Sequence, residues 1–123
     1  MDAQKVVAEL QKQYPGKNIV LNIPEVPTEI ICEIEPADWD PEKSVSVAVL
    51  DGKVKHSHDF TVIEYQVIKG ILEITHLGKT YFLSEGQKIK IDDGEYHMAS
   101  GKETWVKITS RPAWKPEEHI ISD

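Results

Sequence analysis

Three histidines set out the chemistry open to this chain. His56 and His58 flank Ser57, and His97 follows on a later segment, in Gly86-Gln87-Lys88-Ile89-Lys90-Ile91-Asp92-Asp93-Gly94-Glu95-Tyr96-His97. In a β-strand, residues two apart point to the same face, so His56 and His58 can aim both imidazoles at one point. Imidazole is the commonest metal ligand among side chains, and a third histidine on a neighbouring strand would complete a facial set.

The rest of the chain has to supply strands that carry those residues. Asp2 to Gln13 reads as a short helix, with Asp2 as its cap and Val6, Leu10 and Tyr14 as an apolar stripe, closed by Pro15-Gly16. Short β runs separated by turn residues then take over: Asn18 to Ile23, Thr28 to Glu35 and Ser44 to Leu50. Asp51-Gly52 is a tight-turn signal, and Lys53 to His58 carries the histidine pair. Val62 to Ile68, Gly70 to His76, Thr80 to Leu83 and Gln87 to Ile91 follow. Asp92 to Glu95 forms a turn, Tyr96 to Ala99 presents His97, and Ser100 to Glu103 leads to a last strand, Thr104 to Thr109. The tail from Arg111 to Ile120 holds too much proline for a strand interior. Short strands at this spacing, with no helical segment between them, predict an all-β antiparallel sandwich or barrel behind one N-terminal helix.

Composition narrows the function. The 123 residues suit one domain with its own core. A formal net charge of −7 and a single arginine, Arg111, argue against nucleic-acid binding. The one cysteine, Cys32, rules out an intrachain disulfide and reads as a small buried hydrophobe. The charged N-terminus leads into no long apolar run, so neither a signal peptide nor a membrane span is expected, and the location expected is cytoplasmic. No Ser-His-Asp set, P-loop or dinucleotide fingerprint is present.

With these elements placed, the sequence resembles the cupin superfamily, the double-stranded β-helix or jelly-roll barrel. Its first motif is HxH, four residues, an acidic residue, six residues and glycine. Residues 52–70 follow it through His56, His58, Ile63 and Gly70. The second is glycine, five residues, PxG, two residues and histidine. Residues 86–97 match it, with Asp92 in the proline position. The 15 residues between, Ile71 to Glu85, are the spacing of compact single-barrel cupins. The Pro112-Ala113-Trp114 tail is similar to the end of several small bacterial cupins.

The resemblance implies a divalent metal on His56, His58 and His97, with iron, zinc, nickel, manganese and copper all compatible with imidazole. Metal-binding cupins usually add a glutamate where this chain has Ile63. Glu64 is adjacent, but a one-residue step turns a side chain to the opposite face unless a bulge re-aims it. An ion held by three neutral imidazoles keeps its full charge and open positions, which favours a small anionic oxygen ligand. The reactions implied are isomerisation or epimerisation of a sugar-like compound, or dioxygenation of a diketone-like one. A non-catalytic small-molecule binding or sensing barrel is the alternative.

Ile63 and Tyr65 share a parity that turns both inward, which makes Tyr65 either a pocket residue or a plain core tyrosine. Trp105 and Lys107 share another, so one facing inward implies that both do: Lys107 could reach in to hold an anion, and an outward surface lysine is the reading preferred. His76 reads as a hairpin or core-edge histidine, His119 as a solvated tail residue, and Trp39 as a rim aromatic or a cover over one barrel end. Sheet edges of such barrels must be paired or covered, so a homodimer formed through the strands between Asn18 and Glu35 is expected.

Overall fold

Asp2 caps α1 (Ala3–Gln13) by accepting the Lys5 N–H at 3.1 Å, and Val6 and Leu10 are the buried positions of its stripe. The computed structural model describes residues 1–36, 38–58, 61–92, 95–112 and 119–121, with the backbone alone described at 55–58 and 119–121. The expected turn residues Asp93 and Gly94 and the tail segment 113–118 lie outside the described residues. No helix is long and apolar enough to cross a membrane among the described residues.

The strands are β1 (Asn18–Leu21), β2 (Glu29–Glu35), β3 (Ser44–His58), β4 (Val62–Lys69), β5 (Leu72–His76), β6 (Lys79–Leu83), β7 (Lys88–Ile91), β8 (Tyr96–Arg111) and β9 (His119–Ile121). All pair antiparallel. β3 and β8 run side by side and belong to two layers in turn. Their segments Ser44–Leu50 and 104–111 sit in the order β1-β2-β3-β8-β4-β7, whereas 52–58 and 96–101 sit among β9, β5 and β6. Between the layers lies one apolar core, which includes Ile31, Leu50, Ile63, Val67 and Val106 from the first layer and Val54, Leu72, Ile74 and Ala99 from the second. This is an all-β jelly roll with a short N-terminal helix. It is not closed into a full barrel, because β6 and β7 do not pair with each other.

A second cluster covers the outer face of the first layer. Val6 and Leu10 of α1 pack there with Ile30, Cys32, Val47, Val49 and Trp105. Complete burial of a side chain such as Leu10 is worth about 1.5–3 kcal/mol, which explains why a short helix stays docked. Both faces of β2 are therefore buried near its start.

Three expectations change. Asp51-Gly52 is no hairpin turn: β3 continues through it, and the register shifts between Leu50 and Gly52, with Gly52 at φ 116°. Ser100 to Glu103 likewise lies inside β8. A Cβ on Gly101 would stand 2.4 Å from Thr104 Oγ1, so this bend needs a residue without one. His119 opens a strand, with its backbone paired to His58, and does not sit in an irregular tail. Trp39 is 66% exposed with Lys17 Nζ 4.4 Å from its ring centroid, which makes it a rim residue.

Candidate functional site

His97 enters from β8 and is buried, 3% exposed. Its Nε2 lies 2.8 Å from the hydroxyl of Tyr65, which arrives from β4 in the opposite layer. The two rings meet edge to face, with centroids 5.5 Å apart and planes at 69°. Tyr65 is also fully buried, and burial first, then the charge of Glu29, pushes its pKa upward, so the phenol stays protonated. The result is a fixed phenol–imidazole pair that ties one layer to the other.

The strand register supplies the neighbours of His97. His56 of β3 stands directly across from it on one side, and His76 of β5 on the other. Residues directly opposite on antiparallel strands share a face, with Cβ atoms about 4.5–5.5 Å apart. One row thus crosses His56, His97 and His76 and ends at Lys79, the partner of His76 on β6. The side chains of His56 and His58 lie outside the described residues. Among the described residues no group of three or more metal-ligating side chains converges.

His76 is anchored as well. Its Nε2 lies 2.9 Å from Glu95 Oε1, and the same oxygen accepts the Asp92 N–H at 2.9 Å. The His76 hydrogen bond, followed by the Asp92 N–H, outweighs desolvation and holds the Glu95 carboxyl below its usual range. His76 also lines a groove of about 720 Å³ along the unpaired β6 and β7 edges, with Tyr81, Leu83 and Ile89 in its walls.

Glu29, at the start of β2, was not signalled by the sequence. It is 1% exposed on the same strand face as Ile31, and burial raises its pKa to about 7. A buried carboxyl that influences Tyr65 belongs to the polar part of the interior, together with Tyr65 and His97.

The remaining residues separate cleanly. Ile63 is 2% exposed and inside the core, so it does occupy an inward position. Glu64 opposes Lys90 and Thr109 and lines an outer groove with Lys107 and Arg111. No bulge re-aims it, since the register shift of β4 falls later, between Val67 and Lys69. Trp105 and Lys107 do share a face, but it is the outer one: Trp105 packs in the helix-side cluster and Lys107 is exposed. Neither faces the interior with Ile63 and Tyr65, and both drop out of the site. Val106 and Ile108 are the inward residues of that segment.

No protein-family model and no curated protein matches the chain. Solved structures do. A variant of Streptomyces Pac13 with uridine superposes at a TM-score of 0.74 and 10% identity, covering 89% of this chain and 88% of that one; Pac13 is described as a nucleoside dehydratase. The Cnp3 cupin domain of Schizosaccharomyces pombe gives a TM-score of 0.64 at 13% identity, covering 80% of this chain and 70% of its own. Fe(II)-HppE, solved with an alternative substrate, gives 0.68 at 11% identity, covering 80% and 57%. At these identities the likeness is one of fold. The two layers, their strand order and these neighbours together make this chain a protein of the cupin jelly-roll fold.

Proposed function

We propose that the chain is a cytoplasmic small-molecule cupin that holds one divalent metal ion on His56, His58 and His97. In this reading it acts on a small polar, anionic metabolite as an isomerase or epimerase, or as a dioxygenase. The observation that carries the proposal is the register: His97, buried and fixed by Tyr65, stands directly across from His56.

The residues fit such an ion. Metal-bound histidines usually give their second ring nitrogen to a fixed partner, which sets tautomer and ring orientation. The Tyr65 hydroxyl, 2.8 Å from Nε2 of His97, would be such a partner. A neutral imidazole set leaves the ion its charge, and the group would then supply Lewis-acid activation, or redox chemistry if it is iron. One structural neighbour of the same fold was solved with Fe(II).

The chain's own residues do the rest. Tyr65 keeps His97 in one orientation, and its protonated hydroxyl cannot compete as an anion. Ile63, Leu72, Ile74 and Ile91 fill the interior, so water is excluded behind the histidine row. Substrate would be confined to the mouth and the groove beside His76. The alternative, a non-catalytic binding or sensing barrel, draws on the same pair, since a phenol and an imidazole that satisfy each other also serve a stable fold.

Metal analysis of protein purified without chelator tests the proposal. Near-stoichiometric metal is expected, with most of it lost in His56→Ala and in His97→Ala. Full metal in both variants would place any ion elsewhere and end this reading. A panel of sugar phosphates and oxo-acids, with and without oxygen, then separates the reaction classes.

A further inference from the structure

We propose that the outer groove of the first layer is a second binding site, which takes the phosphoryl group of a small metabolite around Thr109. It lies apart from the histidine row and does not rest on the metal reading.

The first support is position. Beyond the bend of β8, Lys107, Thr109 and Arg111 follow one another along the outer face, with Val106 and Ile108 turned to the core. Thr109 is half-buried and stands across from Val45 of β3 and from Glu64 of β4. Residues two apart on a strand are about 7 Å from each other, so the long side chains of Lys107 and Arg111 can meet over the Thr109 hydroxyl from either end. Lys43, just before the Ser44 that pairs with Ser110, flanks the Arg111 end, and Lys90 of β7 lies beyond Glu64. The helix-side cluster stops at Val47 and Trp105, so α1 leaves this part of the layer open. The groove has a volume of about 490 Å³, within the range of small-ligand sites.

The second support is charge. The chain carries −7 overall, yet four of its 14 lysine and arginine residues, its one arginine included, line this groove. Only two carboxylates, Glu35 and Glu64, stand against them. Of the four cations only Lys90 has an ion pair among the described residues, 3.9 Å from Asp92. Glu64 is the direct cross-strand partner of Lys90 and still does not close on it. A concave patch with an excess of positive charge on an acidic molecule draws small anions to that one place.

The ligand class follows from the excess of two charges. A phosphoryl monoester carries about −1.5 to −2 near pH 7 and three acceptor oxygens. Those oxygens can take the Arg111 fork, the Lys107 ammonium and the Thr109 hydroxyl together. A single carboxylate would be satisfied by Arg111 alone and leave the lysines at the other end unused. A long nucleic acid would run onto the acidic remainder of the surface. Because β4 and β8 turn Ile63, Tyr65 and Ile108 to the opposite face, a ligand here stays clear of the Tyr65–His97 pair.

The test titrates the full chain with inorganic pyrophosphate at low salt and follows backbone amides by NMR, once as purified and once after metal removal. Wild type is compared with Lys107→Gln, Arg111→Gln, Glu64→Gln and, as a control on α1, Lys12→Gln, with melting curves to confirm folding. Saturable shifts centred on Lys107, Thr109 and Arg111 are expected in both states. Lys107→Gln and Arg111→Gln should each weaken binding at least about fivefold. Glu64→Gln should tighten it by roughly twofold or more, a gain that a damaged fold does not produce. Lys12→Gln should change nothing. Equal losses in Lys12→Gln and Arg111→Gln, or shifts spread over all lysines without saturation, would show only a general attraction to surface cations and overturn the proposal. Shifts that disappear with the metal would place the anion on the metal centre, and equally strong binding of malonate would overturn the assignment to a phosphoryl group.

Discussion

Replacing Glu29 by glutamine should change the pH dependence of stability in one direction and by a sizeable amount. Glu29 is 1% exposed, and burial alone raises its pKa from 4.5 to about 7. Between those values the folded chain holds a proton that the unfolded chain has released. Stability from this group is therefore complete below about pH 4.5 and is lost as pH rises through about 7. At 1.36 kcal/mol for each tenfold change, the total is about 3 kcal/mol, an order-of-magnitude figure. Glutamine mimics the protonated acid at every pH. The variant should thus lie within about 1 kcal/mol of wild type near pH 5 and be the more stable protein near pH 8 by about 3 kcal/mol. Urea unfolding of both proteins from about pH 5 to about pH 8 measures this. Asp51 and Glu95, held low by hydrogen bonds, lose their contributions only in more acidic solution. The Met1 amine, raised by Asp51, loses its contribution only above its ordinary value of 8.0. Histidine titration is common to both proteins and cancels in the difference. A difference that stays flat across the window would refute the assignment of Glu29 as a buried, protonatable carboxyl.

Tyr65→Phe keeps the ring and removes the hydroxyl from His97, so it should cost about 1–3 kcal/mol in denaturant unfolding and lower metal affinity together; loss of neither would deny Tyr65 its holding role. Ile63→Glu should destabilise the metal-free protein, because it buries a charge, and recover on adding manganese(II) as the carboxylate meets the ion. Glu64→Ala should leave metal affinity unchanged, and a loss of metal there would show that β4 presents Glu64 to the histidines after all. β1 ends its layer with one edge unpaired among the described strands, and we propose that a second copy covers it. Sedimentation velocity should show a dimer, and a concentration-independent monomer would remove that proposal.

The inward histidines could be read from the sequence because period-two parity needs no tertiary information: Leu72, Ile74 and His76, or His97 and Ala99, announce one face by themselves. Their neighbours could not be read. That His97 lies between His56 and His76 is a matter of register, and register depends on where β3 and β8 bend. Asp51-Gly52 carries the composition of a hairpin turn, yet Gly52 at positive φ serves a shift inside one long strand. The bend of β8 had a larger consequence. His97 and Ala99 are inward at odd positions, whereas Val106 and Ile108 are inward at even ones. One added residue around Gly101–Glu103 exchanges the faces. That exchange sends Trp105 and Lys107 outward, the side preferred for a lysine on general grounds, although no local pattern reveals the exchange itself. Glu29 was hidden for another reason. Glu29, Ile30, Ile31 and Cys32 are all buried, since β2 lies between the core and α1, so alternation carries no signal there.

Anomalous diffraction from crystals of the full chain, collected at the absorption edge of the bound metal, tests the central claim most directly. The account predicts one strong peak at the mouth of the jelly roll, within coordination distance of His56, His58 and His97. A chain with no such peak after metal soaking, or with its only peak on the outer groove beside Glu64, would contradict it.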